Sequence, residues 1–244
     1  MKQLSKKQIL LTWLAATVPM GLLAWVFAPW LADRLVQPHA FTKALLISLA
    51  LGLVWQGVLV YILVKREVGE LSWKKVKRAL WLEKPVNPKT KKIGGNVWWM
   101  LVPYGFLFVA IALIPSIFDV PADRDFASFL DSEAGEAFFS GAWLWYGLTL
   151  IMFLFNTVLG EELLFRGYLL PRMNKAYGEK DYIANGVLFS VYHVHQPWTI
   201  PATMVDIFAL SYPSKKYKSA WFGIITHSLQ SILIGLMILF LVIG

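Results

Sequence analysis

Long hydrophobic runs with few charges recur along this chain, and they constrain its fold more than any other feature. The first extends from about Ile9 to Trp30. Others cover about Phe41 to Val64, Val97 to Phe118, Gly141 to Phe165, Tyr182 to His195, Thr199 to Tyr212 and Ser219 to Ile243. A helix crosses a bilayer core in about 20 apolar residues, so most of these runs are long enough to span a membrane. The fifth and sixth are shorter, and read either as a pair of short spans or as a span and a re-entrant piece. The first run is too long for the core of a signal peptide and is followed by no small-residue cleavage site, so it reads as a retained first span.

Composition points the same way: 57% of the residues are hydrophobic and 16% charged, against about 25% charged in a soluble domain. The expected fold is all-α, a polytopic transmembrane helical bundle of about seven to eight membrane helices, forming one membrane domain over residues 1–244. Residues 1–140 supply the amino-terminal helices and a basic cytoplasmic loop at 65–95, and residues 141–244 supply the core that carries the chemistry. The chain contains no Cys, which removes disulfides, thiolate nucleophiles and Cys-ligated metals from consideration. Any metal site must be built from His, Asp and Glu.

The formal net charge of +8 invites a nucleic-acid reading, but the basic residues sit between the hydrophobic runs and do not interleave with aromatics. No nucleic-acid partner is expected. With Met1 cytoplasmic and seven crossings, Lys2, Lys6 and Lys7, ten basic residues from Lys65 to Lys92, four from Arg166 to Lys180 and three from Lys215 to Lys218 fall inside. The outward loop carries Asp119, Asp123, Asp125, Asp131, Glu133 and Glu136 against Arg124. This is the asymmetry of the positive-inside rule. Within the basic loop, Leu71, Trp73, Val76, Leu80 and Trp81 recur at helical spacing among Lys74, Lys75, Lys77 and Arg78. That pattern suits a short amphipathic helix on an anionic leaflet or, equally, a solvated loop that fixes topology. Pro85, Pro88, Gly94 and Gly95 mark a flexible connector.

An ionisable group inside a hydrophobic run is costly and is a functional hypothesis by default. In the fourth run the apolar stretch leads into Glu161, Glu162 and Arg166. Glu162 and Arg166 are four apart and can pair on one helical face, while Glu161 points about 100° away around the helix. His193 ends one run and His227 interrupts another. At 1.5 Å per helical residue, Glu161, His193 and His227 lie roughly 16, 18 and 14 Å from the nearest cytoplasmic charge, namely Arg172, Asp181 and Lys218. Three helices thus bring a carboxylate and two imidazoles to one level.

Such a set can hold and deprotonate a water in a dry cavity, or ligate a tetrahedral zinc through Glu161, His193 and His227 with water in the open position. No His-Glu-x-x-His helix is present. Taken singly, each residue also has a plainer explanation. Glu162 with Arg166 is an ion pair near a helix end, Glu161 a water-facing carboxylate, and either histidine a hydrogen-bonded interior residue. Their joint appearance at one depth shifts the balance. His195 is expected to face elsewhere, near the outer interface with Pro197 and Trp198. Asp206 is expected to be a cap or cavity residue, and Trp30, Trp98, Trp99, Trp143 and Trp198 an interfacial belt.

These residues resemble a known family. Glu161, Glu162 and Arg166 match a Glu-Glu-x-x-x-Arg motif, Phe189 and His193 a Phe-x-x-x-His motif, and His227 the first residue of a His-x-x-x-Asn/Asp motif. From about Gly141 to Leu241 the chain is similar to the CPBP intramembrane proteases, the group of the CAAX prenyl endopeptidases and the bacterial abortive-infection (ABI) proteins. The resemblance implies a multi-pass enzyme of the bacterial plasma membrane that cleaves peptide bonds. Glu161 with His193 would activate the water, Glu162 and Arg166 would hold Glu161 in place, and His227 would help bind the oxyanion. It leaves open whether zinc or no cofactor at all takes part. The sequence departs from the third motif at Ser231, which stands where the family has Asn or Asp. A hydroxyl still donates one hydrogen bond, from a shorter arm.

The reading is therefore an intramembrane endopeptidase whose partners are membrane lipid and a protein or peptide substrate, lipidated or not. The alternative of another class is a non-catalytic immunity or scaffold protein that keeps the helices and works by binding. A proton-coupled transporter using Glu161 and Glu162 as relays ranks last, because no inverted repeat is visible.

Overall fold

The computed structural model describes residues 1–110 and 120–244. Among the described residues the chain is helix and loop, with one isolated antiparallel bridge between Val86 and Ile93. Among the described residues four helices are long and apolar enough to cross a membrane: α1 (Lys6–Ala32), α2 (Ala40–Val68), a third at Trp143–Arg172 and a fourth at Trp221–Ile243. Of the seven to eight spans expected from the runs, these four meet the length and composition of a crossing helix among the described residues. The third run begins in a shorter apolar helix, Gly95–Val109, while its residues 111–118, and Asp119 of the acidic loop, lie outside the described residues.

Helix α1 starts where sequence says it can. The Ser5 hydroxyl accepts from the Gln8 backbone N–H at 3.3 Å, and the Gln8 side chain accepts from the Ser5 backbone N–H at 2.9 Å, a reciprocal capping box. Pro19 lies inside it, and a wide π-helical stretch over Leu23–Phe27 keeps the helix continuous to Ala32. Helix α2 runs through the centre of the bundle, packing on α1 and on the helix from Trp143. It ends at Gly69, whose positive φ of 69° suits the helix-terminating position.

The basic loop is more ordered than a flexible connector. Its short helix α3 (Trp73–Ala79) is capped by Ser72, and Ala79, Leu80 and Leu82 are buried in the protein. Val76 and Leu80 line an apolar groove of about 270 Å³ together with Val60, Val64 and Leu163. The Val76 to Leu80 side of α3 thus packs on the bundle, while Trp73 stays exposed. Backbone bonds from Val86 to Tyr217 and from Ala220 to Trp81, at 2.9 Å each, then tie the loop to the start of the last long helix.

Helix α4 (Gly95–Val109) is followed, after the acidic loop with α5 (Phe126–Leu130) and α6 (Glu133–Phe139), by α7 (Trp143–Arg172). The fifth and sixth runs form shorter elements. The first is α8 (Asp181–Tyr192), a helix of 12 residues, and the chain then turns through Pro197 and Pro201 into the helical stretch 207–217, here α9. At 1.5 Å per residue α8 spans about 18 Å, well short of a bilayer core. The long helix α10 (Trp221–Ile243) closes the bundle. Trp198 does not join an interfacial belt: it is buried and donates to Asp125 at 2.8 Å, whereas Trp30, Trp99 and Trp143 are exposed.

Candidate active site

Glu161 and Glu162 lie between two wide turns of α7, Phe155–Gly160 and Leu163–Leu169, which form π-helical hydrogen-bond patterns. A π-helical turn holds an extra residue, and such turns concentrate at functional sites. The approach of α7 to α2 needs Gly160. A Cβ there would lie 3.0 Å from the Leu53 carbonyl oxygen, closer than packing allows. Asn185 on α8 secures the far side, donating at 2.9 Å to the Phe165 carbonyl and accepting at 3.0 Å from the Ser211 hydroxyl on α9. Both wide turns are thereby fixed against neighbouring helices.

The two carboxylates have different partners. Glu162 is fully buried, accepts from Arg166 Nη1 at 2.9 Å and sits 3.1 Å from His227 Nδ1, through the same Oε1. Arg166 is likewise fully buried, and its guanidinium carbon lies 3.9 Å from the centre of the Phe189 ring. Glu161 is held separately. With the Asn156 carboxamide turned so that its nitrogen faces the carboxylate, the orientation the hydrogen-bond network requires, it donates to both Glu161 oxygens at 3.0 and 2.8 Å. The Tyr192 phenol also reaches Glu161 and in turn accepts from the Gln56 side chain on α2.

The imidazoles enter from α8 and α10. Helix α8 ends at Tyr192, so His193 is its C-terminal cap, and its Nδ1 donates to the Phe189 carbonyl at 3.0 Å. His227 is buried on α10, one turn before the buried Ser231. The Phe189 ring stands edge-on to both, 4.9 Å from the His193 ring and 6.1 Å from that of His227. The Nδ1 bonds leave Nε2 of each ring as the nitrogen open to chemistry. Beside them, the Ser228 hydroxyl bonds Thr157 at 3.1 Å and joins α10 to the first wide turn of α7.

Glu162, Arg166 and His227 therefore meet in direct contact. His193 shares the Phe189 ring with His227, and Glu161 lies one side chain away, across Tyr192. His195 departs from expectation: because α8 stops at Tyr192, the chain folds back and stacks His195 on His193, ring centres 5.5 Å apart. Asn156, Gln56 and Tyr192 carry no charge, so charges and histidines inside apolar runs do not mark them. Neutral polar residues inside apolar runs are the signal that would have found the first two.

A zinc ion needs three donors converging on one point. Among the described residues no three His, Asp or Glu side chains are grouped so as to hold a metal. Both Glu161 oxygens accept from the Asn156 amide, which turns the carboxylate toward Asn156. Glu161, His193 and His227 do not form a converging zinc set.

Several hydrogen-bonding atoms of this region are buried without a protein partner, including Glu162 Oε2, Gln56 Oε1 and Arg166 Nε and Nη2. Buried polar atoms are almost always satisfied, so these are groups a polar substrate or water can meet. Neither the curated proteins nor the solved structures yield a match to the chain. The family model for Rce1-like proteins, described as type II CAAX prenyl endopeptidase, matches residues 142–233, the segment that carries Glu161 through Ser231, and it is the CPBP family that the three motifs resemble.

Proposed function

We propose that the chain is an intramembrane endopeptidase that hydrolyses a peptide bond in a membrane-associated protein or peptide. The observation that carries this reading is the separation of two adjacent buried carboxylates: Glu162 is committed to Arg166 and His227, while Glu161 is oriented by Asn156 and Tyr192. One acid is structural and the other is free to take a proton. Glu161, with His193 Nε2, accepts a proton from water as the water oxygen bonds the scissile carbonyl carbon. The oxyanion that forms is stabilised by His227 Nε2–H, the ring being protonated at both nitrogens with Glu162 as counter-charge, and by the Ser231 hydroxyl. The carbon–nitrogen bond then breaks, and the proton held by Glu161 passes to the leaving amine.

The family description supports a substrate ending in a lipidated segment, and the apolar helices support a substrate that shares the membrane. The distribution of Lys and Arg favours a cytoplasmic amino terminus and a site opening to the cytoplasmic half of the bilayer. The test is purified full-length protein with a panel of lipidated and unlipidated hydrophobic peptides, run alongside elemental analysis. Wild type is expected to cleave a member of the panel that Glu161→Gln leaves intact; equal product from both sinks the reading. Ser231 at the Asn/Asp position favours the second reading, a non-catalytic immunity or scaffold protein of the same fold. In that case biological protection survives both Glu161→Gln and His193→Ala.

A further inference from the structure

Val194 joins His193 to His195 in the turn that follows α8, and much of what holds this turn lies outside the segment that the family model matches. The Val194 backbone carbonyl accepts from the Trp25 indole N–H on α1 at 2.8 Å. Non-helical backbone inside a membrane bundle is tolerated where the protein satisfies its polar groups, and an indole brings an N–H on an otherwise apolar ring. Four residues earlier on α1, Gly21 allows the close approach. A Cβ there would lie 3.2 Å from Val194 Cγ2. Gly21 and Trp25 thus form a seat for the one residue between the two imidazoles.

The indole is itself held, from the acidic loop. The Arg124 guanidinium carbon stands 4.2 Å from the centre of the Trp25 ring and 4.9 Å from that of Phe41 on α2, and Arg124 Nη1 donates to the Ala24 carbonyl at 3.1 Å. A cation stacked on two rings and anchored to backbone resists turning of the indole. The next residue, Asp125, accepts from the Trp198 indole N–H at 2.8 Å, and Trp198 is buried just past the turn. Consecutive loop residues therefore fix both flanks of the turn, Arg124 through Trp25 and Asp125 through Trp198. Within it, the Gln196 N–H bonds the His193 carbonyl at 2.9 Å, and the two imidazoles stack with centres 5.5 Å apart.

We propose that Trp25 is a positioning residue for His193, and that Arg124 and Asp125 form a strap that steadies its seat. Trp25 acts on the Val194 carbonyl, and the placement of Val194 sets where the His193 ring stands against Phe189 and Tyr192, 4.9 and 5.3 Å from their ring centres. In lipid no water stands ready to replace a lost donor. Without the indole N–H the turn shifts, and His193 shifts with it relative to Glu161 on α7. The consequence for turnover rests on the peptidase reading; the seat itself does not.

The experiment uses the purified full-length chain in detergent. Trp25→Phe keeps a ring for Arg124 to stack on and removes the N–H. Trp55→Phe is its control. The Trp55 indole donates to the Ala15 carbonyl at 2.8 Å, and Ala15 lies ten residues before Trp25, about 15 Å along α1. Histidine ¹⁵N resonances are read first. The His193 signals are expected to move in Trp25→Phe, further than those of His227 and further than in Trp55→Phe. His193 signals that stay put, or that move no further than in the control, overturn the proposal. Arg124→Gln is expected to move the same signals in the same direction, and no movement there removes the strap. Should Trp25→Phe fail to fold, Gly21→Ala presses a methyl on Val194 from the same seat and is judged by the same signals. In the cleavage assay Trp25→Phe is expected to lower kcat by about 10-fold with KM within about twofold, the pattern of a misplaced catalytic group. Equal kcat in Trp25→Phe and Trp55→Phe removes the positioning role. A wild type that cleaves nothing removes the peptidase reading and leaves the resonances to judge the seat.

Discussion

Glu162 Oε1 and His227 Nδ1 lie 3.1 Å apart across the contact between α7 and α10, and the same oxygen holds Arg166 Nη1 at 2.9 Å. One carboxylate atom therefore joins two helices and orients an imidazole. Removing the cation breaks the arrangement from one side. Arg166→Met is expected to destabilise the fold by about 3–5 kcal/mol, because it leaves buried carboxylate without its partner. Thermal unfolding in detergent measures this, and a melting temperature within error of wild type contradicts it.

Gly223 is the counterpart of that pair on α10. A Cβ at this position would lie 2.1 Å from Glu162 Oε2 and 3.1 Å from Arg166 Cγ. Even one methyl group must push the carboxylate away from α10. Gly223→Ala is expected to lower stability by about 1–3 kcal/mol, as overpacking does, and to lower cleavage more than Gly235→Ala on the same helix. Gly235 has 3.6 Å of clearance to its nearest neighbour, so it reports on the generic effect of the substitution. Equal losses at the two positions contradict the steric argument.

What could be read from the sequence divides along physical lines. Charge inside apolar runs marked Glu161, Glu162, Arg166, His193 and His227, because an ionisable group at that depth must have a reason to be there. The number of long helices could not be read the same way, since hydrophobicity does not distinguish a span from a buried short helix. Residues 182–195 are apolar because α8 is packed inside the protein: Phe189 and Tyr192 are buried, and Ser190 bonds the Gly186 and Thr203 carbonyls. Asn156 was hidden by the helical period itself. At 3.6 residues per turn, residues five apart point about 140° away from each other. The wide turn at Phe155–Gly160 brings Asn156 and Glu161 together.

Asn156 consequently has a predictable effect of its own. Its amide donates to both oxygens of Glu161, fixing the carboxylate's direction without neutralising it. Asn156→Leu keeps the volume and removes the donors, leaving the carboxylate free to rotate. Cleavage is expected to fall by about 10- to 100-fold, the scale of a misoriented catalytic group, while the far-ultraviolet circular dichroism stays that of wild type. Full activity in Asn156→Leu contradicts an orienting role.

Gly105→Leu and similar changes that overfill α4 against α10 are expected to act through packing alone. A Cβ on Gly105 already comes within 3.0 Å of Leu229, on the helix that carries His227. The expected loss is about 1–3 kcal/mol of stability, with cleavage falling in proportion to the folded fraction. Activity lost from fully folded protein would instead tie this contact to the chemistry.

Ser231 offers a change in the opposite direction. It lies one turn beyond His227 on α10 and is buried, so its hydroxyl shares a helix face with the imidazole. If it donates to the oxyanion, Ser231→Ala is expected to reduce kcat by about 100-fold or more, the usual loss for one such donor. Ser231→Asn lengthens the arm and replaces the hydroxyl by an amide N–H, at the position where the motif has Asn or Asp. Its kcat is expected to equal or exceed that of wild type, with KM little changed, because the gain is confined to the transition state. A Ser231→Ala enzyme with wild-type kcat removes this hydroxyl from the chemistry and leaves His227 as the oxyanion donor.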